Sequence, residues 1–396
     1  MTTKILLADK LKDGAFSSLP DVEVLNRPEL TAEALPEALD GVKVLVVRST
    51  KVTAEAIARA NKLELIVRAG SGVNNIDVEA ASSRGIFVTN CPGKNSVAVA
   101  ELAMGLILAL DRRIPDNVAD LRAGRWAKGE YSKAKGLKGQ RLGLVGFGNI
   151  GKEVARRAQA FDMEVSAYAL DLTPAVAKAC NVRQVATVEE IFRESDVVSL
   201  HIPATSQTKG LVGADLIGLM RQGALLINTS RAQVMDSAAV MAAVEAKKIR
   251  VGTDVFAGEP EGKAGAFEDP MGALPGVYGT HHIGASTDQA QDEIATCAID
   301  IVRTYLESGE VKFSVNLARQ TSVAGTVVVR HLDKVGVLAA VLGALRSAEI
   351  NVEAMENIIF EGGVAACARI QVSKRPSEAV MKELEGLEHV ISTDLV

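Results

Sequence analysis

Aromatic residues are scarce in this chain: Phe, Trp and Tyr make up 4% of 396 residues, with one tryptophan. A core with so few rings must be filled by small aliphatic side chains, as where helices pack onto sheets. Cysteine is equally thin. Cys91, Cys180, Cys297 and Cys367 are scattered, without the paired spacing of a zinc site or the secretory context of a disulfide framework. They read as small buried apolar residues in a reduced, cytoplasmic setting, and no metal is expected. Long apolar runs are missing as well. The most apolar helix candidate, Val97 to Leu110, is interrupted by Glu101 and is too short to span a bilayer. The start, Met1 to Lys10, has no small-residue cleavage site and reads as a first strand, not a signal peptide. Basic residues are in deficit, 44 Lys+Arg against 49 Asp+Glu, so no nucleic-acid footprint is expected and no membrane partner either.

At roughly 150 residues per domain, the length implies two or three units. Short β-rich runs (Lys4 to Ala8, Val22 to Leu25, Val42 to Val47, Leu63 to Arg68, Phe87 to Thr89) alternate with helical stretches, which is the pattern of parallel βαβ units. A helix over Ser96 to Arg112 leads into a polar segment ending near Gln140. A second alternating series then runs through Arg141 to Val145, Glu164 to Tyr168, Val197 to Leu200, Ala224 to Asn228, Val251 to Val255 and Val277 to Gly279. Gly262 to Gly276 reads as an exposed connection, Gln289 to Ser308 as a closing helix and residues 311–323 as a linker. From Thr326 the order is strand, helix, strand, a turn at Gly362-Gly363, strand, helix, strand: a βαββαβ ferredoxin-like module.

Gly146-Phe147-Gly148-Asn149-Ile150-Gly151 joins the strand Arg141 to Val145 to the helix from Asn149. Gly146 permits a tight turn, Gly148 lets backbone approach a pyrophosphate, and Gly151 allows close helix–strand packing. Free amides at the helix start favour phosphate. A glycine pattern so placed points to a dinucleotide. Tyr168-Ala169 ends the next strand without the usual acid, and Asp171 substitutes for it. With no Arg or Lys from Ala169 to Pro174, NAD is favoured over NADP.

Arg231, Glu259 and His282 each lie just beyond a strand of the second series. Oxidation of an alcohol needs a base, a cation for a carboxylate and a group that tunes the base, and these residues are of those types. Singly they also read as a surface arginine, a turn glutamate and a satisfied histidine, although two of only five histidines are adjacent at His281-His282. Together the motifs resemble the D-2-hydroxyacid dehydrogenase family, and the whole chain is similar to its phosphoglycerate dehydrogenase branch. That resemblance implies that His282 accepts the C2 hydroxyl proton, Glu259 orients His282 and Arg231 binds the substrate carboxylate. It further implies cofactor contacts from Ser71, His201, Ile202, Pro203, Thr229, Ser230, Asp254 and Gly284, with Asp254 holding the nicotinamide carboxamide. Ala232 stands where the family shows glycine, and Asn74 where it shows aspartate.

Arg48 and Arg68 follow neighbouring strands of the first series, and Arg68 opens the loop Gly70-Ser71-Gly72-Val73-Asn74. Two such arginines suit a phosphate-bearing substrate, against an even alternative of ordinary surface arginines. The resemblance favours 3-phosphoglycerate, contacted by Arg48, Arg68, Gly70, Ser71, Gly72 and Val73, with Asn95 at a hinge and Lys128 reaching a neighbouring subunit. It implies a discontinuous substrate domain (1–95 and 287–318), an inserted NAD-binding Rossmann domain (96–286) and an ACT domain (324–396), assembled as a homodimer or homotetramer. His331, Asp333 and Asn351 match ACT effector positions, for which L-serine is the candidate. The competing readings are a glyoxylate/hydroxypyruvate-type reductase, with 2-oxoglutarate reduction as a second activity left open, and a dinucleotide-sensing corepressor-like protein.

Overall fold

The computed structural model describes residues 2–11, 16–260, 265–318 and 323–396. Part of the expected Gly262–Gly276 connection (262–264) and part of the 311–323 linker (319–322) lie outside the described residues. Two compact units separate, Met1–Asn316 and Leu317–Val396. No helix among the described residues is long and apolar enough to cross a membrane.

The first unit holds two parallel sheets. In the five-stranded one, β1 (Thr3–Leu7), β2 (Val22–Asn26), β3 (Val44–Val47), β4 (Leu65–Arg68) and β5 (Phe87–Asn90) lie in the order β2-β1-β3-β4-β5. Strand β3 reads Val-Leu-Val-Val and every residue is buried, as a sheet covered on both faces requires. Leu6, Leu45 and Ile66 pack on one face with Leu35, Leu39 and Ile57. Ile5, Leu7, Val46 and Val67 pack on the other with Ile294, Ile301 and Val302 of the helix Asp288–Ser308.

The seven-stranded sheet comprises β6 (Arg141–Val145), β7 (Glu164–Tyr168), β8 (Arg183–Gln184), β9 (Val197–Leu200), β10 (Ala224–Asn228), β11 (Ile249–Thr253) and β12 (Val277–Gly279). Its order is β12-β11-β10-β9-β6-β7-β8, again all parallel. The helix Ser96–Arg112 leaves the first sheet and buries Ala100, Ala103, Ile107 and Leu110 against Leu142, Leu225 and Ile227 of the second. A Cβ at Gly252 on β11 would come within 3.0 Å of Leu106 and 3.1 Å of Leu110, so glycine lets this helix sit down on the sheet. Thr173, Thr187, Asp236 and Thr287 each accept a backbone N–H in the first turn of a helix, which defines the helix starts.

Three details differ from the sequence reading. The polar segment after Arg112 contains two helices, Ile114–Arg122 and Lys128–Tyr131. The chain breaks at Arg113, which sits in the left-handed region at φ 51°, and restarts at Pro115. None of the residues of Ile114–Arg122 is buried, although Ile114, Val118 and Leu121 are spaced along one helical face. Strand β8 is two residues long, below what alternation reveals. Strand β11 ends at Thr253, two residues before the expected Val255, because the Thr253 hydroxyl bonds the carbonyls of Asn228 and Val255 and turns the chain out of the ladder.

The second unit is an antiparallel sheet in the order β14-β15-β13-β16, from β13 (Gly325–Leu332), β14 (Val352–Ile359), β15 (Ala365–Val372) and β16 (Val390–Leu395). Alternate residues of β13 and β15 are buried, the mark of a sheet covered on one face. Val327, Val329, Ala368 and Ile370 meet Val341, Leu345 and Leu384 of two helices there.

Close packing at β6 gives a stability prediction. A Cβ at Gly143 would lie 2.2 Å from Ser195 Oγ and 2.6 Å from Ile191 Cγ2. Gly143→Ala should cost about 1–3 kcal/mol, read as a lower thermal midpoint; an unchanged midpoint would show that the helix Val188–Glu194 yields freely.

Candidate functional site

Parallel strands deliver every following loop to one edge, and ligands in such sheets sit where the strand order reverses. In the seven-stranded sheet the reversal lies between β6 and β9. The glycine turn follows β6 and His201-Ile202-Pro203 follows β9. Gly146 has φ 96°, and a Cβ there would be 2.3 Å from the His201 carbonyl oxygen. A Cβ at Gly151 would be 2.5 Å from the Gly146 carbonyl oxygen. These two glycines fold the turn onto itself. Gly148 is different: nothing lies within 4 Å of a Cβ built there. It caps the helix Asn149–Ala160 without a side-chain hydrogen bond, so bare amides face open space.

The polar atoms around this space fit a dinucleotide. Thr229 Oγ1 and His201 Nδ1 are buried with no partner among the described residues. Part of the His201 ring reaches the surface, yet burial of its nitrogens pushes its pKa down to about 4 and keeps the ring neutral. Its Nε2 pairs with Ser199 Oγ at 2.9 Å, leaving Nδ1 for a ligand. Gly146, Gly148 and Asn149 follow β6, and Thr229 follows β10. Ile150 and Ile202 are half-buried against the cores on either side of the sheet. Pro203 and Asp171 are exposed, Asp171 in the turn after β7. The Ser230 hydroxyl donates to Asn228 Oδ1 at 2.8 Å. Asn228, which the sequence reading passed over, also takes the Ser230 N–H and gives its amide to the Arg231 carbonyl at 2.9 Å. This local turn aims Arg231.

His282 and Glu259 form the centre of the site. His282 Nδ1 lies 2.7 Å from Glu259 Oε2, and Glu259 Oε1 accepts the Phe256 N–H at 2.8 Å. The hydrogen bond to Glu259 raises the His282 pKa, with burial opposing and the Glu259 and Asp254 charges assisting. Burial would raise Glu259, but the bonds from His282 and Phe256 prevail and hold it below the usual carboxylate range. With Nδ1 committed, Nε2 is the nitrogen free to exchange a proton.

His282 sits in the left-handed region, φ 51°, a conformation that persists only where neighbours enforce it. Asp254 is the enforcer. Buried at 2% exposure, it accepts from Thr280 Oγ1 at 2.6 Å, from Ile283 N at 2.9 Å and from Gly284 N at 2.8 Å. Expected as a nicotinamide contact, Asp254 is seen here clamping the turn that carries His282. Gly284 is part of that clamp.

Across the cleft stands the loop after β4. Arg231 Nη1 donates to Ser230 O at 2.7 Å and Nη2 to Asn74 Oδ1 at 3.4 Å, and a Cβ at Gly72 would be 2.5 Å from Nη2. The Arg68 guanidinium folds over Gly70, where a Cβ would nearly coincide with Nη1. Its Nε is buried and unpartnered. Burial first, then the charges of Arg231 and Arg48, push Arg68 down to about 10, an environment adverse to its cation by roughly 3 kcal/mol. An anionic ligand relieves that cost. Ser71 donates to Asn95 Oδ1 at 2.6 Å, which ties this loop to the start of the helix Ser96–Arg112, while Val73 packs into the core beneath. Lys128 and Trp126 are exposed, the latter at 80%.

The second unit does not assemble the expected effector set. His331 is 1% exposed and bonded to the Leu332 carbonyl and to Asn357 Oδ1 at 3.2 Å. Ala366 and Ala368 on the intervening strand leave room for that reach. Asp333 is exposed near that end, while Asn351 precedes β14 at the level of Ser373, at the other end of the sheet. Six residues of β15 separate the levels of His331 and Val352, roughly 20 Å. Within one chain the three cannot share one small ligand.

Comparison with known proteins places this geometry. Residues 104–284 match the family described as D-isomer specific 2-hydroxyacid dehydrogenase, NAD binding domain. The chain is 39% identical over 317 residues to D-3-phosphoglycerate dehydrogenase of Methanocaldococcus jannaschii, covering 79% of this chain and 59% of that protein. It is 41% identical over 288 residues to hydroxypyruvate reductase of Thermotoga maritima, covering 72% of this chain and 92% of that protein. The NAD+-bound 3-phosphoglycerate dehydrogenase of Entamoeba histolytica superposes with a TM-score of 0.66 at 27% identity, over 80% of this chain and 99% of that one. The chain spans less than two thirds of the length of the Methanocaldococcus relative.

The electrostatics predict a titration. Glu259→Gln keeps the shape but removes the charge that favours the His282 cation, so the His282 midpoint should fall by about one pH unit or more. An NMR titration of the ring protons reads this directly, and a midpoint at or above that of the parent protein would rule out Glu259 as the cause.

Proposed function

Because the chain belongs to the D-isomer-specific 2-hydroxyacid dehydrogenase family, we propose that it oxidises (R)-3-phosphoglycerate to 3-phosphohydroxypyruvate with NAD, the first step of serine biosynthesis. The observation that carries the choice of substrate is the gathering of Arg48, Arg68 and Arg231. Among the described residues the Arg48 and Arg68 guanidinium groups have no hydrogen-bonded acid, and Arg68 is depressed by burial first and then by the other two charges. A substrate bearing both a carboxylate and a phosphate meets that excess of positive charge better than an unphosphorylated 2-hydroxy acid.

Bound NAD supplies the hydride acceptor. Arg231 holds the substrate carboxylate and polarises the C2 oxygen as carbonyl character develops. His282 Nε2 accepts the C2 hydroxyl proton, and the Glu259 carboxylate stabilises the resulting imidazolium. In the reverse direction the same cation is the proton donor, so the raised His282 pKa extends reduction toward higher pH. Arg48, Arg68 and the backbone of Gly70 to Val73 hold the phosphate. In this reading 1–95 with 287–318 bind substrate, 96–286 bind NAD, and 324–396 form an ACT regulatory domain. An L-serine site on His331, Asp333 and Asn351 then requires two copies of that domain.

The identity to a hydroxypyruvate reductase supports a second reading, reduction of hydroxypyruvate. Turnover of 3-phosphoglycerate, glycerate, lactate and 2-hydroxyglutarate with NAD and with NADP separates the two. The proposal expects the highest kcat/KM for 3-phosphoglycerate with NAD, and better efficiency with glycerate would overturn it. His282→Gln should lower kcat by about 10²–10⁴-fold while NADH still binds, as a fluorescence titration would show. Arg48→Ala or Arg68→Ala should raise KM for 3-phosphoglycerate about tenfold or more and leave that for glycerate nearly unchanged. An L-serine titration that moves neither activity nor thermal midpoint would remove the effector assignment.

A further inference from the structure

The five-stranded sheet has its own reversal point, between β1 and β3, where an open parallel sheet offers a crevice for a ligand. Three successive backbone N–H groups, of Arg48, Ser49 and Thr50, converge there. Such a concavity of amides is an anion seat, and the chain fills it with its own side chain. Asp9 Oδ2 accepts from Arg48 N at 2.7 Å, Ser49 N at 3.0 Å and Thr50 N at 3.1 Å. Asp9 is only 6% exposed and lies two residues beyond β1.

The same turn is fastened on two further sides. Thr50 Oγ1 donates to the Ala8 carbonyl at 3.1 Å. Asn75 Nδ2 donates to the Thr50 carbonyl at 2.8 Å, and the Val52 N–H returns to the Asn75 carbonyl at 2.7 Å. Asn75 directly follows Asn74, the acceptor for Arg231. One buried carboxylate thus anchors a frame joining the Arg48 turn to the loop across which Arg231 reaches.

A carboxylate beside Arg68 and under the Arg48 turn works against binding an anion unless it has another task. Here its lone pairs are turned to the backbone, and its charge offsets the mutual repulsion that acts on Arg68. We propose that Asp9 is a positioning residue: it occupies the anion seat of the first sheet and thereby fixes the turn that aims Arg48 at the substrate anion. The inference rests on the reading of Arg48 as a phosphate ligand.

The test compares Asp9→Asn, Asp9→Ala and Arg48→Ala in the full chain, measuring kcat, KM for 3-phosphoglycerate, NADH affinity and thermal midpoint. Asp9→Ala should raise KM about tenfold, the scale of a lost charge-assisted hydrogen bond, with kcat and NADH affinity within about twofold. Asp9→Asn, which keeps an acceptor oxygen, should show a smaller rise and covers the case in which Asp9→Ala does not fold. Formate, the missing carboxylate without its stem, should refill the seat and lower KM of Asp9→Ala relative to the parent protein in the same buffer. The proposal is overturned if both Asp9 variants leave KM unchanged while Arg48→Ala raises it. It is also overturned if KM and NADH affinity worsen together without formate rescue, which would mark Asp9 as general scaffold. If Arg48→Ala itself leaves KM unchanged, the phosphate reading of Arg48 fails instead.

Discussion

All twelve strands among the described residues of the first unit run parallel within their sheets, and the rest of the site follows from that constraint. A parallel strand must be followed by a crossover, so its two ends are unequal: loops that leave the carboxyl ends gather along one edge. Gly146 to Gly151, His201, Thr229, Arg231, Asp254 and His282 come from that edge of the seven-stranded sheet. Arg48 and Arg68 come from the corresponding edge of the five-stranded sheet. The helices Ser96–Arg112 and Asp288–Ser308 carry the chain between the two sheets, and each is packed into one core. Chemistry-bearing residues far apart in sequence thereby come to face one cleft, while the apolar strands behind them stay dry.

Within the cleft, charge is distributed unevenly. On the side of the seven-stranded sheet, acid and base are matched, with Glu259 and His282 shifting one another in opposite directions. On the other side the guanidinium groups are left in excess, and Arg68 carries the cost in a depressed pKa. Matched charge suits a proton that must come and go. Unmatched charge suits an anion that must bind.

Two buried aspartates add to this charge balance and also hold backbone. One oxygen of Asp9 gathers three backbone N–H groups, and the two oxygens of Asp254 gather two together with one hydroxyl. A carboxylate is the strongest acceptor the chain possesses, and one oxygen can gather several amides where a hydroxyl cannot. Each aspartate thus holds a turn, that of the half-buried Arg48 in one case and that of the exposed His282 in the other. The hydrogen bonds that hold His282 at φ 51° converge on the buried Asp254.

Much of this was legible without coordinates. The alternation of apolar runs marks the parallel strands, the glycine spacing marks the dinucleotide turn, and the βαββαβ order of the last seventy-odd positions marks the third sheet. These are local patterns, imposed by backbone period and by the steric demand for glycine. The helix Ile114–Arg122 escaped although Ile114, Val118 and Leu121 are spaced along one face of it, and β8 because two residues make no pattern. Asn228, Asp9 and the clamping role of Asp254 escaped for another reason: what each one does is set by its hydrogen-bond partners. In sequence, Asp9 is one acid near the start and Asn228 the last residue of a strand. By itself the sequence determined which segments become strands and helices and which residue types are at hand, because those follow from neighbours along the chain. Only the tertiary structure decided that Asp9 meets the amides of residues 48–50, that Asn357 rather than Asn351 meets His331, and that Arg48 and Arg231 come close enough to depress Arg68. Such pairings depend on how strands are ordered and how far apart their ends lie, which no local pattern contains.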